Sequence, residues 1–113
     1  AEILEIIGEV QDKTALIVDD FTISAGTLAN AAAALVERGA KAVYAAVSHG
    51  VFSEGSMERI DASPIQRLLV TDSIETQPVT FSPKVEVVSV AALFGEAIRR
   101  IHNRESISVL FPA

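Results

Sequence analysis

Two adjacent carboxylates, Asp19 and Asp20, follow the apolar run Leu16-Ile17-Val18. Phe21-Thr22-Ile23 and then Ser24-Ala25-Gly26-Thr27 come next, and an alanine-rich stretch begins at Leu28. An apolar strand that ends in acids, a short loop of small and hydroxyl residues, and a helix start converge on one point, the carboxyl end of a buried strand. Ligands of open α/β sheets bind there. The first turn of a helix presents unsatisfied N–H donors and the positive end of its dipole, which suits a phosphate. The carboxylates can accept hydrogen bonds from sugar hydroxyls or hold a hydrated divalent cation. A small molecule carrying both a phosphate and a diol fits this set best. Successive strand residues point to opposite faces, so both acids meet one ligand only if the strand ends at them.

The elements that position these groups alternate along the chain. Ala1–Val10 reads as a strand, with a turn at Gln11-Asp12-Lys13. Thr14–Val18 is continuously apolar and reads as a central parallel strand buried on both faces. The spacing predicts a helix over Thr27–Arg38, stopped by Gly39. Further strands are expected at Lys41–Val47, Arg67–Thr71 and Val85–Ser89, and a short helix at Ser56–Ala62 that Pro64 prevents from lengthening. Asp72–Lys84, with Pro78 and Pro83, reads as a loop. Val90–Arg104 reads as a helix whose last turns carry Arg99, Arg100 and His102, where cations complement the dipole. Ser106–Phe111 is expected to be a terminal strand or extended tail. The alternation implies a parallel sheet with right-handed crossovers.

Composition sets outer limits. At 113 residues with 50% hydrophobic content, the chain is expected to form one domain, residues 1–113, with a real core. No apolar stretch is long enough for a transmembrane helix, and no leader pattern is present. The first residue is Ala rather than Met, read as the mark of a processed or excised piece. There is no Cys, which excludes disulfides and thiolate metal sites and fits a cytoplasmic location. A net charge of −6 argues against nucleic acid as a partner. No Ser-His-Asp arrangement, phosphate-loop or dinucleotide fingerprint occurs. Gly50 and Gly55 are not at phosphate-loop spacing. His49 follows a strand without acidic or His neighbours at metal-ligand spacing and is read as structural, so no protein metal site is assigned.

Val18-Asp19-Asp20 with Ser24-Ala25-Gly26-Thr27 resembles the phosphoribosyl-binding loop of the type I phosphoribosyltransferase fold. Val43-Tyr44-Ala45, Ser48-His49-Gly50-Val51-Phe52-Ser53, Glu58-Arg59-Ile60, Leu69-Val70-Thr71-Asp72-Ser73-Ile74, Gly95–His102 and Glu105–Phe111 follow in the order seen in the C-terminal half of the ribose-phosphate pyrophosphokinases (PRPP synthetases). The resemblance implies an α/β fold, a parallel-sheet three-layer sandwich of the phosphoribosyltransferase kind, present in part. It implies transfer of a diphosphoryl group from ATP to the 1-hydroxyl of ribose 5-phosphate, with Mg²⁺. Asp19 and Asp20 would face the ribose, Ser24, Ala25, Gly26 and Thr27 would grip the 5-phosphate, and Ser106 and Ser108 would belong to an effector phosphate site. The resembled pattern carries an acidic residue where this chain has Ile23. No Lys or Arg lies between Asp19 and Thr27 to neutralise a diphosphate, and the groups that carry the chemistry are not identified. ATP would be held through a missing half, so the isolated chain is expected to be inactive and to self-associate as a homo-oligomer. A phosphoribosyltransferase that consumes PRPP, or a non-catalytic synthetase-associated regulatory protein, are the alternatives.

Overall fold

In the computed structural model, which describes residues 5–75 and 79–112, four strands alternate with helices. The order is β1 (Thr14–Thr22), α1 (Gly26–Glu37), β2 (Ala42–Gly50), α2 (Ser56–Ala62), β3 (Ile65–Thr71), β4 (Val85–Val88) and α3 (Ala91–His102), then a 3₁₀ turn at Ser108–Leu110. All strand pairs are parallel, in the spatial order β1-β2-β3-β4. The expected α/β class and parallel sheet are thus present.

Local chemistry explains the element ends. Helix α1 closes in a Schellman motif: the Gly39 N–H donates to Val36 O (2.9 Å) and the Ala40 N–H to Leu35 O (3.0 Å). Gly39 takes the positive φ of 96° that this motif needs. Ser63, before Pro64, is extended and ends α2. The Lys84 ammonium then donates to the carbonyls of Ile60, Asp61 and Ser63 at 2.9–3.2 Å, tying the segment before β4 to the end of α2. Phe52 and Phe81 pack edge to face, 5.4 Å between centroids.

A sequential strand order with right-handed crossovers puts every crossover helix on the same side of the sheet. Leu28 and Ala32 of α1 and Met57 and Ile60 of α2 therefore share one core with Val43, Ala45, Val47, Leu68 and Val70. Nothing among the described residues covers the opposite face. The reading of Thr14–Val18 as buried on both faces is corrected accordingly: Leu16 is 60% and Val18 73% exposed. Their register neighbours Tyr44 and Ala46 lie in the same rows. β1 is also an edge strand of the described sheet, not a central one.

Three further expectations change. Residues 5–10 form no strand, and Ile7 is almost fully exposed; no strand among the described residues pairs with the segment, and Ala1–Leu4 lie outside the described residues. Helix α3 buries no residue and has no extensive contact with any strand or helix, so it does not cover a face of the sheet as expected. Its apolar stripe of Leu93, Phe94, Ile98 and Ile101 is exposed. The tail forms a 3₁₀ turn rather than a strand, held by the Ser106 and Ser108 hydroxyls bonding each other. The expected 72–84 segment is a loop where described, and Pro78 lies outside the described residues.

Shape reflects the bare face and the projecting helix. The radius of gyration is 16.6 Å, against about 13 Å for a compact domain of this length. The accessible surface is 7701 Å², against about 6,000 Å² for a compact monomer of this mass. No helix among the described residues is long and apolar enough to cross a membrane.

Candidate functional site

The loop between β1 and α1 forms a cleft of about 290 Å³ lined by Asp19, Asp20, Thr22, Ile23, Ser24, Ala25 and Thr27 among others. β1 does not end at the acids, as the single-ligand argument required. It continues to Thr22, paired with β2 as far as Gly50. Register puts Asp19 in the row of Val47 and Val70, on the helix-covered side, and leaves Asp20 for the other side. Both nevertheless border the same cleft, because the chain turns directly after Thr22. Each carboxylate accepts the next residue's N–H at 2.8 Å, which uses one oxygen and leaves the others for a ligand.

Three successive carbonyls of the loop are held by the segment that follows β2. Thr22 O accepts the Val51 N–H (2.9 Å), Ile23 O the Ser53 N–H (2.8 Å) and Ser24 O the Arg59 guanidinium (3.0 Å). In a planar trans peptide the C=O and the following N–H point in opposite directions. Anchoring these oxygens to the 51–59 segment therefore turns the N–H groups of Ile23, Ser24 and Ala25 the other way. Among the described residues no acceptor meets the N–H of Ser24, Ala25 or Thr27. Ala25 holds the geometry at φ 63°, the left-handed region, with its side chain 2% exposed in the core. Consecutive outward N–H groups at a helix start make an anion-binding concavity.

Of the expected phosphate group, Ser24, Ala25 and Thr27 line the cleft. Gly26 shares the turn but borders the groove between α1 and α2, beside Arg59. Its N–H meets the Ser24 hydroxyl at 3.3 Å, and a Cβ there would meet only that oxygen, at 3.4 Å. Ile23 is half-exposed in the cleft. Ser106 and Ser108 are not part of this site. They follow the C-terminal end of α3, where Arg100 donates to Ser106 O at 3.2 Å. Arg99 and Arg100 both pair with Glu96, at 2.7 and 2.8 Å. His49 Nδ1 lies 2.6 Å from Ser73 Oγ, a structural contact between the ends of β2 and β3.

Sequence reasoning missed the clamp. Arg59 lies more than thirty positions from the loop it holds, and backbone N–H groups leave no residue signal. Gly50 was the available clue: a Cβ there would lie 2.7 Å from Val70 Cγ2 and 2.8 Å from Phe52 Cε2. Glycine there lets the Val70 and Phe52 side chains pack against the backbone where β2 ends, just before Val51 and Ser53.

Among the described residues no group of three or more His, Cys, Asp or Glu could hold a metal. The donors at the cleft, two carboxylates beside an anion cradle, suit a hydrated Mg²⁺ that takes most of its ligands from water and substrate oxygens.

The chain is similar in sequence and fold to known proteins. The chain is 50% identical over 111 residues to a ribose-phosphate pyrophosphokinase of Oceanobacillus iheyensis, covering 98% of this chain and 35% of that protein. It is 52% identical over 112 residues to one of Maricaulis maris, covering 98% of this chain and 36% of that protein. The crystal structure of phosphoribosylpyrophosphate synthetase from Mycobacterium smegmatis superposes with a TM-score of 0.80 at 33% identity, covering 87% of this chain and 33% of that one. The chain thus spans about a third of the length of the relatives it matches. The family described as the phosphoribosyl synthetase-associated domain matches residues 2–112, and the chain belongs to that family.

Proposed function

We propose that this chain supplies the ribose 5-phosphate half of a ribose-phosphate diphosphokinase, which converts ATP and ribose 5-phosphate to PRPP and AMP, and that it is the C-terminal part of that enzyme. The observation that carries the reading is the turn after β1, where the Thr22, Ile23 and Ser24 carbonyls are anchored to the 51–59 segment and the N–H groups that follow them turn away from it, beside the cleft that Asp19 and Asp20 line. The N–H groups of Ser24, Ala25 and Thr27, with the Thr27 hydroxyl, receive the 5-phosphate. Asp19 and Asp20 accept the ribose hydroxyls and, with substrate oxygens, would hold Mg²⁺. When bound, that ion neutralises phosphate charge. Catalysis of this kind rests on positioning and charge neutralisation.

ATP and the basic groups that meet its phosphates belong to the remainder of the enzyme, since the cleft contains no Lys or Arg. The same remainder, or further copies of the chain, covers the bare sheet face and α3. The excess surface of about 1,700 Å² over a compact monomer is what such contacts would remove. A soluble cytoplasmic oligomer acting in nucleotide precursor synthesis is the setting that this reading implies.

The test is complementation. The purified chain alone should make no PRPP from ATP, Mg²⁺ and ribose 5-phosphate. Adding the N-terminal two-thirds of a matching synthetase in trans should restore formation of PRPP. Robust PRPP synthesis by the chain alone would overturn the assignment of ATP binding to the remainder. Two folded, associating pieces that stay inactive would overturn the assignment of the ribose-phosphate half to this chain.

A further inference from the structure

The geometry points to Arg59 as a positioning residue that sets the phosphate-binding loop through the Ser24 carbonyl. The inference rests on the reading of the cleft as a ribose 5-phosphate site. Two of the three carbonyl anchors, Val51 N–H to Thr22 O and Ser53 N–H to Ile23 O, are backbone to backbone and indifferent to side-chain identity. The third is a side chain. Arg59 Nη1 donates to Ser24 O at 3.0 Å, and this oxygen belongs to the peptide unit whose other end is the Ala25 N–H. Peptide planarity couples the two, so the guanidinium decides where that N–H points.

The arrangement has little reason to exist for stability. Arg59 is exposed and takes part in no salt bridge among the described residues. It borders an open groove with Gly26, Ala29 and Ala62. The peptide that it holds is the one entering Ala25, the residue in the left-handed conformation. Such a conformation persists only when surrounding contacts over-determine it. Release of Ser24 O allows that peptide plane to rotate and leaves the Ala25 N–H without a fixed aim. A charged donor to a neutral carbonyl makes a hydrogen bond of the stronger kind, and the guanidinium's remaining N–H groups add positive potential behind an anion site on a chain of net charge −6.

The test compares Arg59→Met, which keeps the stem and removes the donors, with Arg59→Lys, which keeps a charged donor. Ribose 5-phosphate affinity is read by titration calorimetry, the Ser24 and Ala25 amides by ¹H–¹⁵N NMR, and fold by thermal unfolding. Arg59→Met should lose roughly tenfold in affinity and shift both amides, while its melting temperature stays within a few degrees of the unaltered chain. Arg59→Lys should recover affinity to within about threefold and return the amides toward their original positions. Unaltered affinity in Arg59→Met would overturn the inference. So would a loss of affinity matched by a collapse in melting temperature and not recovered by lysine. If the unaltered chain itself binds no ribose 5-phosphate, the reading of the cleft falls, and the amides alone decide the clamp: Ser24 and Ala25 resonances unmoved by Arg59→Met would refute it.

Discussion

Val18→Lys separates the stability of this fold from its association. Val18 is 73% exposed on the uncovered face of β1, so the folded chain has realised only about a quarter of the roughly 2 kcal/mol that full burial of a valine yields. The substitution should therefore cost the fold about 0.5 kcal/mol, plus a few tenths for strand propensity. Association has more to lose. If two copies cover each other's bare faces, each copy would bury the remainder of Val18, and both contributions would disappear. A lysine ammonium would also have to reach water from inside the contact, as charged residues on exposed sheet surfaces and edges do to block pairing. Together these amount to about 3 kcal/mol, or roughly a hundredfold in the dissociation constant. Urea unfolding gives the first quantity, and light scattering across a concentration series gives the second. Unfolding that falls by more than 2 kcal/mol would show that Val18 is buried in the folded chain, contrary to a bare face. A mass unchanged at every concentration, with the unaltered chain oligomeric, would show that association uses another surface.

Other perturbations probe separate contacts. Thr27→Ala should leave unfolding unchanged, because Thr27 is exposed, and weaken ribose 5-phosphate binding about tenfold in calorimetry, the scale of one hydroxyl-to-phosphate hydrogen bond. Lys84→Met removes the donor to three carbonyls at the end of α2 and should cost about 2 kcal/mol in urea unfolding with the slope unchanged. Hydrogen bonds from Arg99, and then from Arg100, hold the Glu96 carboxyl down to about 2 from an ordinary 4.5. Its ionised form is the one favoured by the fold, so its support of α3 is complete above about pH 4.5 and disappears as pH falls through about 2. A carboxyl NMR titration of Glu96 should show that depressed midpoint, and it should move back up in high salt, because the group is exposed and screening acts on it.

The strands and helices were legible in the sequence where a local rule decided them. Gly39 and Pro64 marked real helix ends, and β2, β3 and β4 sit where the apolar runs put them, because each run is short and bounded by turn residues. The turn between β1 and α1 was legible for the same reason: small residues between a strand and a helix leave few alternatives. What failed depended on neighbours in space. Leu16 and Val18 look like core residues, yet strand order and crossover handedness leave their face bare. Asp19 and Asp20 look like a strand end, yet pairing with β2 carries β1 past them to Thr22. Ala25 gives no sign of its left-handed backbone, and Arg59 no sign of the carbonyl it holds. Nothing local in the sequence says what covers the apolar stripe of Leu93, Phe94, Ile98 and Ile101 on α3, which is exposed among the described residues.

A crystal structure of the chain with ribose 5-phosphate decides whether the cleft is the sugar-phosphate site. The 5-phosphate should lie on the N–H groups of Ser24, Ala25 and Thr27, with the ribose hydroxyls within hydrogen-bond distance of Asp19 and Asp20 and Arg59 still on the Ser24 carbonyl. A ligand seated elsewhere, or a phosphate in the cleft with its sugar turned away from both carboxylates, would contradict that assignment.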